Sequence, residues 1–111
     1  MAFDPQLAQR LRERLSSTPH VTERKMFGGL GFMIGGHMAV GVQSQGNLIV
    51  RCGADAFETL TARACAGPML RGGKPVTGWV LVDGGAVAED EALDWWVAVG
   101  VGHAGSLEPK R

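Results

Sequence analysis

The sequence lacks any long apolar run. No stretch approaches the roughly 18 consecutive apolar residues that a membrane-spanning helix requires. The N-terminal segment MAFDPQLAQRLRERL also has no uninterrupted apolar core of the kind found in secretory signals. We therefore expect a cytoplasmic protein without a membrane partner.

The sequence also lacks an excess of charge. Lys and Arg together number 11, Asp and Glu also number 11, and the formal net charge at pH 7 is zero. Domains that bind the phosphate backbone of a nucleic acid usually carry a clear excess of basic residues, so nucleic-acid binding is disfavoured. A local basic patch keeps that alternative open, because basic residues gather toward the N-terminus and acidic ones toward the C-terminus: Arg10, Arg12, Arg14, Arg24 and Lys25 against Glu89, Asp90, Glu91 and Asp94.

Cysteine and histidine are scarce. Cys52 and Cys65 are the only cysteines, and their spacing matches neither a CxxC redox pair nor a pair of zinc ligands, so we expect both to be reduced. The three histidines, His20, His37 and His103, form no HxH or HxxxH arrangement. We expect no metal, no cofactor and no catalytic residue.

The composition that remains is typical of one small globular domain. The 111 residues are 45% apolar and 20% charged, which argues against disorder. They predict a single domain over residues 1–111 with one core. The 17 glycines are best explained by turns, and the tail, about residues 104–111, is expected to be flexible.

Apolar periodicity predicts an α+β fold. A first helix, from Asp4-Pro5 to about Ser16, would bury one stripe of leucines. Short apolar runs broken by glycine predict a β-meander within Val21–Arg51, with strands over Leu30–Ile34, Met38–Val42 and Leu48–Arg51 and a tight turn at Gly35-Gly36. We then expect a helix, a short strand, a second strand and a last helix, at Ala54–Ala64, around Pro68–Arg71, at Gly78–Val82 and from about Ala88.

The segment VTERKMFGGLGFMIGGHMAVGV, residues 21–42, closely resembles the signature of the N-terminal domain of the TfoX/Sxy competence-regulator family. In that signature an Arg-Lys-Met-Phe-Gly-Gly segment leads into two glycine-linked strands, and the likeness continues as far as Trp95 and Trp96. The resemblance implies a two-layer α/β architecture in which helices pack on an antiparallel sheet, in the order α-β-β-β-α-β-β-α. Full-length members carry a further C-terminal helical domain, and the 111 residues stop before one, so we expect a stand-alone N-terminal domain. The sequence departs from the family at His37, where relatives usually have lysine.

The glycine-rich segment over residues 28–36, GGLGFMIGG, invites comparison with a phosphate-binding loop. Its pattern fails, because His37 and Met38 stand where such a loop has lysine and Ser/Thr, and Ile34 occupies the third glycine position of GxGxxG. We interpret the segment as a hairpin.

The residues that the sequence offers for binding are cations, large apolar groups and glycines. Two cations stand beside two large apolar side chains at residues 24–27; alternatively, the apolar pair enters the core and the cations remain solvated. Further arginines would strengthen a basic patch if they converged on one concave surface. Two adjacent tryptophans on a helix project about 100° apart, so one can face the core and the other an interface; alternatively, a wide apolar face buries both rings. The candidate surface comprises Arg24, Lys25, Met26, Phe27, Gly28, Gly29, Arg51, Arg71, Trp95 and Trp96.

Three functions fit these observations. The leading hypothesis is a non-enzymatic regulatory or protein-interaction module with an unknown protein partner, working as a homodimer through a sheet edge or the surface around Trp95 and Trp96. The alternative is a nucleic-acid or nucleotide-binding module that uses a basic patch. The third is a small thiol enzyme that uses Cys52 or Cys65. The family is associated with transcriptional control of natural competence, and the resemblance provides no catalytic residues to transfer.

Overall fold

The computed structural model describes residues 5–26 and 29–107, and every structural statement below concerns those residues. They contain three α-helices and six β-strands. In chain order these are α1 (Pro5–Arg14), β1 (Val21–Met26), β2 (Gly29–Ile34), β3 (His37–Val42), β4 (Leu48–Arg51), α2 (Ala54–Thr61), β5 (Ala66–Arg71), β6 (Lys74–Val82) and α3 (Asp90–Ser106), with a 3₁₀ turn over Gly84–Val87.

The six strands form one antiparallel sheet in the order β1-β2-β3-β4-β6-β5. This confirms the predicted α+β class, in which helices pack on an antiparallel sheet. The helices also lie at the expected places among the strands. The structure adds β1, which pairs with β2 from Val21 opposite Ile34 to Met26 opposite Gly29. Its sequence, VTERKM, carries three charged residues in a row, a composition that suits an edge strand and hides the apolar alternation of a strand.

The main core lies between the sheet and the helices. The helix α3 crosses β2, β3 and β4, α2 covers β5 and β6, and α1 packs on α3 and β3. The strands contribute inward-facing side chains to this core, Leu30, Phe32, Val40, Val42, Leu48, Val50, Val80 and Val82. A side chain at Gly100 would overlap the carbonyl of Ala39, so glycine lets α3 rest directly on the backbone of the sheet.

A smaller apolar cluster lies on the opposite face of the sheet. It is built from buried Met33, Met38, Ile49 and Met69, with Trp79 and Leu81 packed against them. The cross-strand pair of Ile49 with Leu81 alternates with the pair of Val50 with Val80, which belongs to the helix-side core. Side chains of successive residues in a strand point to opposite faces, so the sheet buries apolar groups on both.

The helix stripes and turns agree with the sequence pattern, while several helix ends differ. Leu7, Leu11 and Leu15 are all buried, which confirms the leucine stripe. The helices α1 and α2 end at Arg14 and Thr61, earlier than predicted. The predicted cap Asp4 lies outside the described residues.

The C-terminal helix begins later and ends later than predicted. The 3₁₀ turn after β6 delays its start to Asp90, and it continues to Ser106. Residues 104–106 of the tail expected to be flexible belong to α3, and Ala104 is buried there; the flexibility of the tail stays a prediction. Residues 108–111 lie outside the described part of the chain.

Gly35 and Gly36 turn the chain between β2 and β3. Their φ angles are 58° and 86°, values that a tight hairpin requires and that glycine adopts without strain. The hairpin interpretation of the glycine-rich segment is confirmed for residues 29–36. Among the described helices, none is long and apolar enough to cross a bilayer.

Candidate interaction surfaces

The four cations predicted to form a basic patch are spread across the sheet. Arg24 and Lys25 lie on β1, at one edge, and Arg71 ends β5, at the other. Neighbouring strands are about 4.8 Å apart, so the two edges lie about 24 Å apart along the sheet. The fourth cation, Arg51, ends β4 in the middle of the sheet. The structure does not bring these four residues together.

The two cations of β1 also diverge from each other. Arg24 pairs with Gly31 and Lys25 pairs with Leu30, and Leu30 belongs to the helix-side core. Lys25 therefore lies on the helix side of the edge strand and Arg24 on the opposite side. Both side chains are exposed, which favours the alternative in which these two cations remain solvated.

The remaining residues of this segment offer little to a ligand. Gly29 is buried, and a side chain there would overlap the carbonyl of Val42, so glycine serves the close approach of β2 and β3. Phe27, Gly28 and the side chain of Met26, which belong to the predicted surface, lie outside the described residues.

The two tryptophans of α3 divide between core and solvent. Trp96 is 3% exposed and Trp95 is 43% exposed, and their rings meet edge to face with centroids 4.9 Å apart. Trp95 is therefore the exposed member of the pair, and Trp96 is the buried one. A third residue completes the arrangement, because the guanidinium carbon of Arg63 lies 4.3 Å from the centroid of the Trp95 ring. Arg63 follows α2, and no sequence signal connects it to α3.

The outward face of α3 is flat beyond Trp95. The next residues on that face at helical spacing are Ala98, Gly102 and Gly105, all exposed. A Cβ added at either glycine would meet nothing within 4 Å, so internal packing does not require them. Each costs the helix roughly 1 kcal/mol relative to alanine.

The two sheet edges carry features that oppose strand pairing with another chain. On β1, Glu23 accepts two hydrogen bonds from Arg12, at 2.7 and 2.9 Å, and this ion pair lowers the pKa of Glu23 below its ordinary value. On β5, Pro68 has no N–H to donate, and it is exposed. Charges and proline are the usual protection of an edge strand.

Arg51 and His103 make separate contacts near the end of β4. The guanidinium of Arg51 is 5.3 Å from the centroid of the Trp79 ring, which stands opposite it on β6. The ring of His103, from α3, lies against Gly53, where an added Cβ would be 2.7 Å from Cε1 and 2.8 Å from Nδ1. Burial, then the charges of Arg51 and His37, lower the pKa of His103. The sequence gives no sign that Arg51 lies over Trp79 or that His103 rests on Gly53.

The two cysteines are both free thiols. Cys52 is buried, its thiol donates to the carbonyl of Gly53 at 3.3 Å, and burial raises its pKa. Cys65 is half-buried and lines an open groove of about 380 Å³. Within the described residues, no three His, Cys, Asp or Glu side chains are grouped so that they could hold a metal ion.

These elements define a small two-layer α+β domain with an exposed aromatic surface on its C-terminal helix. Residues 13–104 match the family model of the TfoX N-terminal domain. Because the match spans most of the chain, the protein belongs to the TfoX N-terminal domain family, as its RKMFGG segment predicted. No curated protein and no solved structure gives a significant match to the chain.

Proposed function

We propose that the protein is a non-enzymatic regulatory module that acts in the cytoplasm through protein contacts, with the outward face of α3 as its contact surface and a homodimer as its basic assembly. The observation that supports this most is Trp95, which keeps 43% of its surface exposed on a helix whose next residue, Trp96, is buried. The regulatory part of the proposal rests on the association of the family with transcriptional control.

An exposed tryptophan is an efficient anchor for a partner. Its ring has the largest apolar area of any side chain, and tryptophan and arginine are the residues that most often dominate binding energy at interfaces. Here Arg63 already holds one face of the Trp95 ring. The ring therefore loses little conformational freedom when a partner covers its remaining surface.

The flat stripe on α3 suits a second copy of the same helix. Small residues such as Ala98 and Gly102 let two helix backbones approach closely. In a two-fold dimer each copy presents the same patch, so Trp95 of one protomer can lie on the small residues of the other. This surface also lacks the edge protection found on β1 and β5, which favours it over pairing between sheet edges.

The homodimer is tested by size-exclusion chromatography with light scattering at tens of micromolar protein. The wild-type chain should elute as a dimer, and Trp95→Ala should give a folded monomer. Leu70→Ala is the matched control, because Leu70 is 59% exposed on β5, away from α3, and its loss should leave the dimer intact. A wild-type monomer at this concentration contradicts the homodimer, and a dimer lost in Leu70→Ala but kept in Trp95→Ala places the contact elsewhere.

A further inference from the structure

A small cavity of about 120 Å³ opens near the turn of the β5–β6 hairpin. It is lined by Met69, Leu70 and Arg71 of β5 and by Val76 and Trp79 of β6. Small-molecule sites usually measure about 300–1,000 Å³, whereas an apolar cavity of roughly 150 Å³ can hold benzene. The cavity therefore has the size of one apolar side chain.

The cavity has a buried apolar base and an open rim. Met69 is buried, Val76 and Trp79 are half-buried, and Leu70 and Arg71 are exposed. Leu70 keeps 59% of its surface exposed, so a partner that covers it removes apolar area from water. The thioether of Met69 can adapt to the shape of an incoming group.

Three cations border this cavity. Across the turn at residues 72–73, Arg71 stands directly opposite Lys74, and like charges in that position destabilise a hairpin. The two turn residues have φ angles of 60° and 79°, as a tight two-residue turn requires. On the neighbouring strand, the guanidinium of Arg51 lies 5.3 Å from the centroid of the Trp79 ring, which lines the cavity.

No acidic residue of the neighbouring sequence offsets these cations. Residues 48–54 and 66–82 contain neither Asp nor Glu. Within the part of the chain that the structure describes, the ion pairs join arginines of α1 to acids of β1 and α3. The cavity therefore combines apolar walls with positive charge, and electrostatic complementarity requires an acidic partner.

An acidic peptide matches this surface better than a nucleic acid does. Proteins that bind single strands stack successive bases on several aromatic side chains. The strands β4, β5 and β6 contain one aromatic residue, Trp79, and Arg51 lies over its ring. A cavity of side-chain size beside cations instead matches an apolar anchor with acidic neighbours.

We propose that the cavity, together with Arg51, Arg71 and Lys74, binds an acidic segment of a partner protein; we call this site the hairpin pocket. One large apolar side chain of the partner enters the cavity, and Asp or Glu residues beside it pair with the three cations. These carboxylates also relieve the repulsion between Arg71 and Lys74. The hairpin pocket is separate from the α3 contact surface, so a monomer can use it.

The test begins with selection of random short peptides, displayed on phage, against the immobilised full chain. The enriched peptides should carry one Leu, Met, Phe or Trp with Asp or Glu on both sides. A synthetic peptide of the enriched sequence is then titrated into the full chain and followed by NMR. Saturable shifts should centre on residues 69–76 and on the side chains of Arg51 and Trp79, and added salt should weaken binding.

Three variants measure the contributions to the affinity for that peptide. Leu70→Ala should weaken binding by about fivefold or more, as expected for a residue at an anchor pocket. Arg71→Gln should weaken it by about two- to fivefold, as expected for an exposed ion pair. Arg24→Gln is the matched control, because it removes an exposed arginine from the opposite edge of the sheet, and it should leave the affinity unchanged.

Several results on the wild-type chain would overturn the proposal, whether or not a variant folds. They are the absence of any enriched peptide, enrichment of peptides without acidic residues, and shifts that centre on α3. A single-stranded oligonucleotide that binds residues 69–76 more tightly than the peptide would assign the pocket to nucleic acid. An oligomer that the enriched peptide dissociates in light scattering, with shifts at those residues, would assign it to a second copy of the chain.

Discussion

The guanidinium of Arg63 lies on one face of Trp95, with 4.3 Å between its central carbon and the ring centroid, and Trp95 in turn meets Trp96 edge-on. This stack of three side chains runs from exposed Arg63, through partly exposed Trp95, to buried Trp96. Arg63 comes from the chain just after α2, so the stack also joins the two helices that cover different halves of the sheet.

The two tryptophans should differ sharply in their effect on stability. Trp96 is buried in the main core, so Trp96→Ala should lower the free energy of unfolding by about 3–5 kcal/mol. Trp95→Ala removes an exposed ring and its contact with Arg63, which predicts a loss of about 1 kcal/mol. Urea unfolding of monomeric protein measures both values, and equal losses would contradict the division between core and surface.

Arg10 should matter more to stability than its neighbour Arg12. Its Nη1 donates to the carbonyl of Val87 at 2.8 Å and its Nη2 donates to that of Ala88 at 3.2 Å, so it joins α1 to the turn before α3. Arg10→Ala should cost about 1.5–3 kcal/mol, the usual range for hydrogen bonds from a charged group.

Arg12→Ala is the matched control for Arg10. It removes an exposed ion pair with Glu23 and should cost about 0–1 kcal/mol. Thermal and urea unfolding of the two variants compare them directly. A larger loss in Arg12→Ala would mean that the α1–β1 ion pair, instead of the carbonyl contacts, fixes α1.

Stability should fall when His103 is protonated. Its pKa in the folded protein lies below the ordinary 6.5, chiefly because of burial, so the unfolded chain binds the proton more readily. Its contribution to stability is complete above pH 6.5 and declines as the pH falls through the folded pKa. The pKa of Glu23 is held below its ordinary 4.5 by the ion pair with Arg12, so this carboxylate does not interfere.

Urea midpoints measured near pH 7.5 and pH 5.5, in a buffer free of sulfate and phosphate, test this dependence. His103→Asn should reduce the difference between the two midpoints. If the variant shows the same difference as the wild type, another group is responsible.

The two thiols should react at different rates. Burial and a raised pKa keep Cys52 in the thiol form, whereas Cys65 borders an open groove. A disulfide reagent at mildly alkaline pH should therefore show one fast thiol, which Cys65→Ser removes and Cys52→Ser leaves in place. Fast reaction of Cys52 would contradict this prediction and would support the hypothesis of a thiol enzyme.

Much of the fold could be predicted because its determinants are local. A pair of glycines between two apolar runs indicates a hairpin, as at residues 35–36. The leucine stripe of α1 indicates a buried face, whichever element packs against it. The strand β1 could not be found in the same way. Its consecutive Glu23, Arg24 and Lys25 hide the strand pattern, and it is extended because β2 offers a partner.

The candidate surfaces were less accessible to sequence reasoning. Adjacency of Trp95 and Trp96 on a helix allows either one exposed ring or two buried rings, and the outcome depends on where the sheet lies. Arg63, Arg51 and His103 acquire their contacts through tertiary packing. The strand order also separates the cations of β1 from Arg71, and no local pattern reveals that order.

The helix α3 comes after all six strands in the chain, yet it supplies Leu93, Trp96 and Val97 to the centre of the core. During synthesis, which proceeds at about 5–20 residues per second, the sheet residues that it covers have no partner until α3 leaves the ribosome. The domain therefore completes its folding after translation of this helix, and nascent chains that stop before it expose the apolar side of the sheet to chaperones.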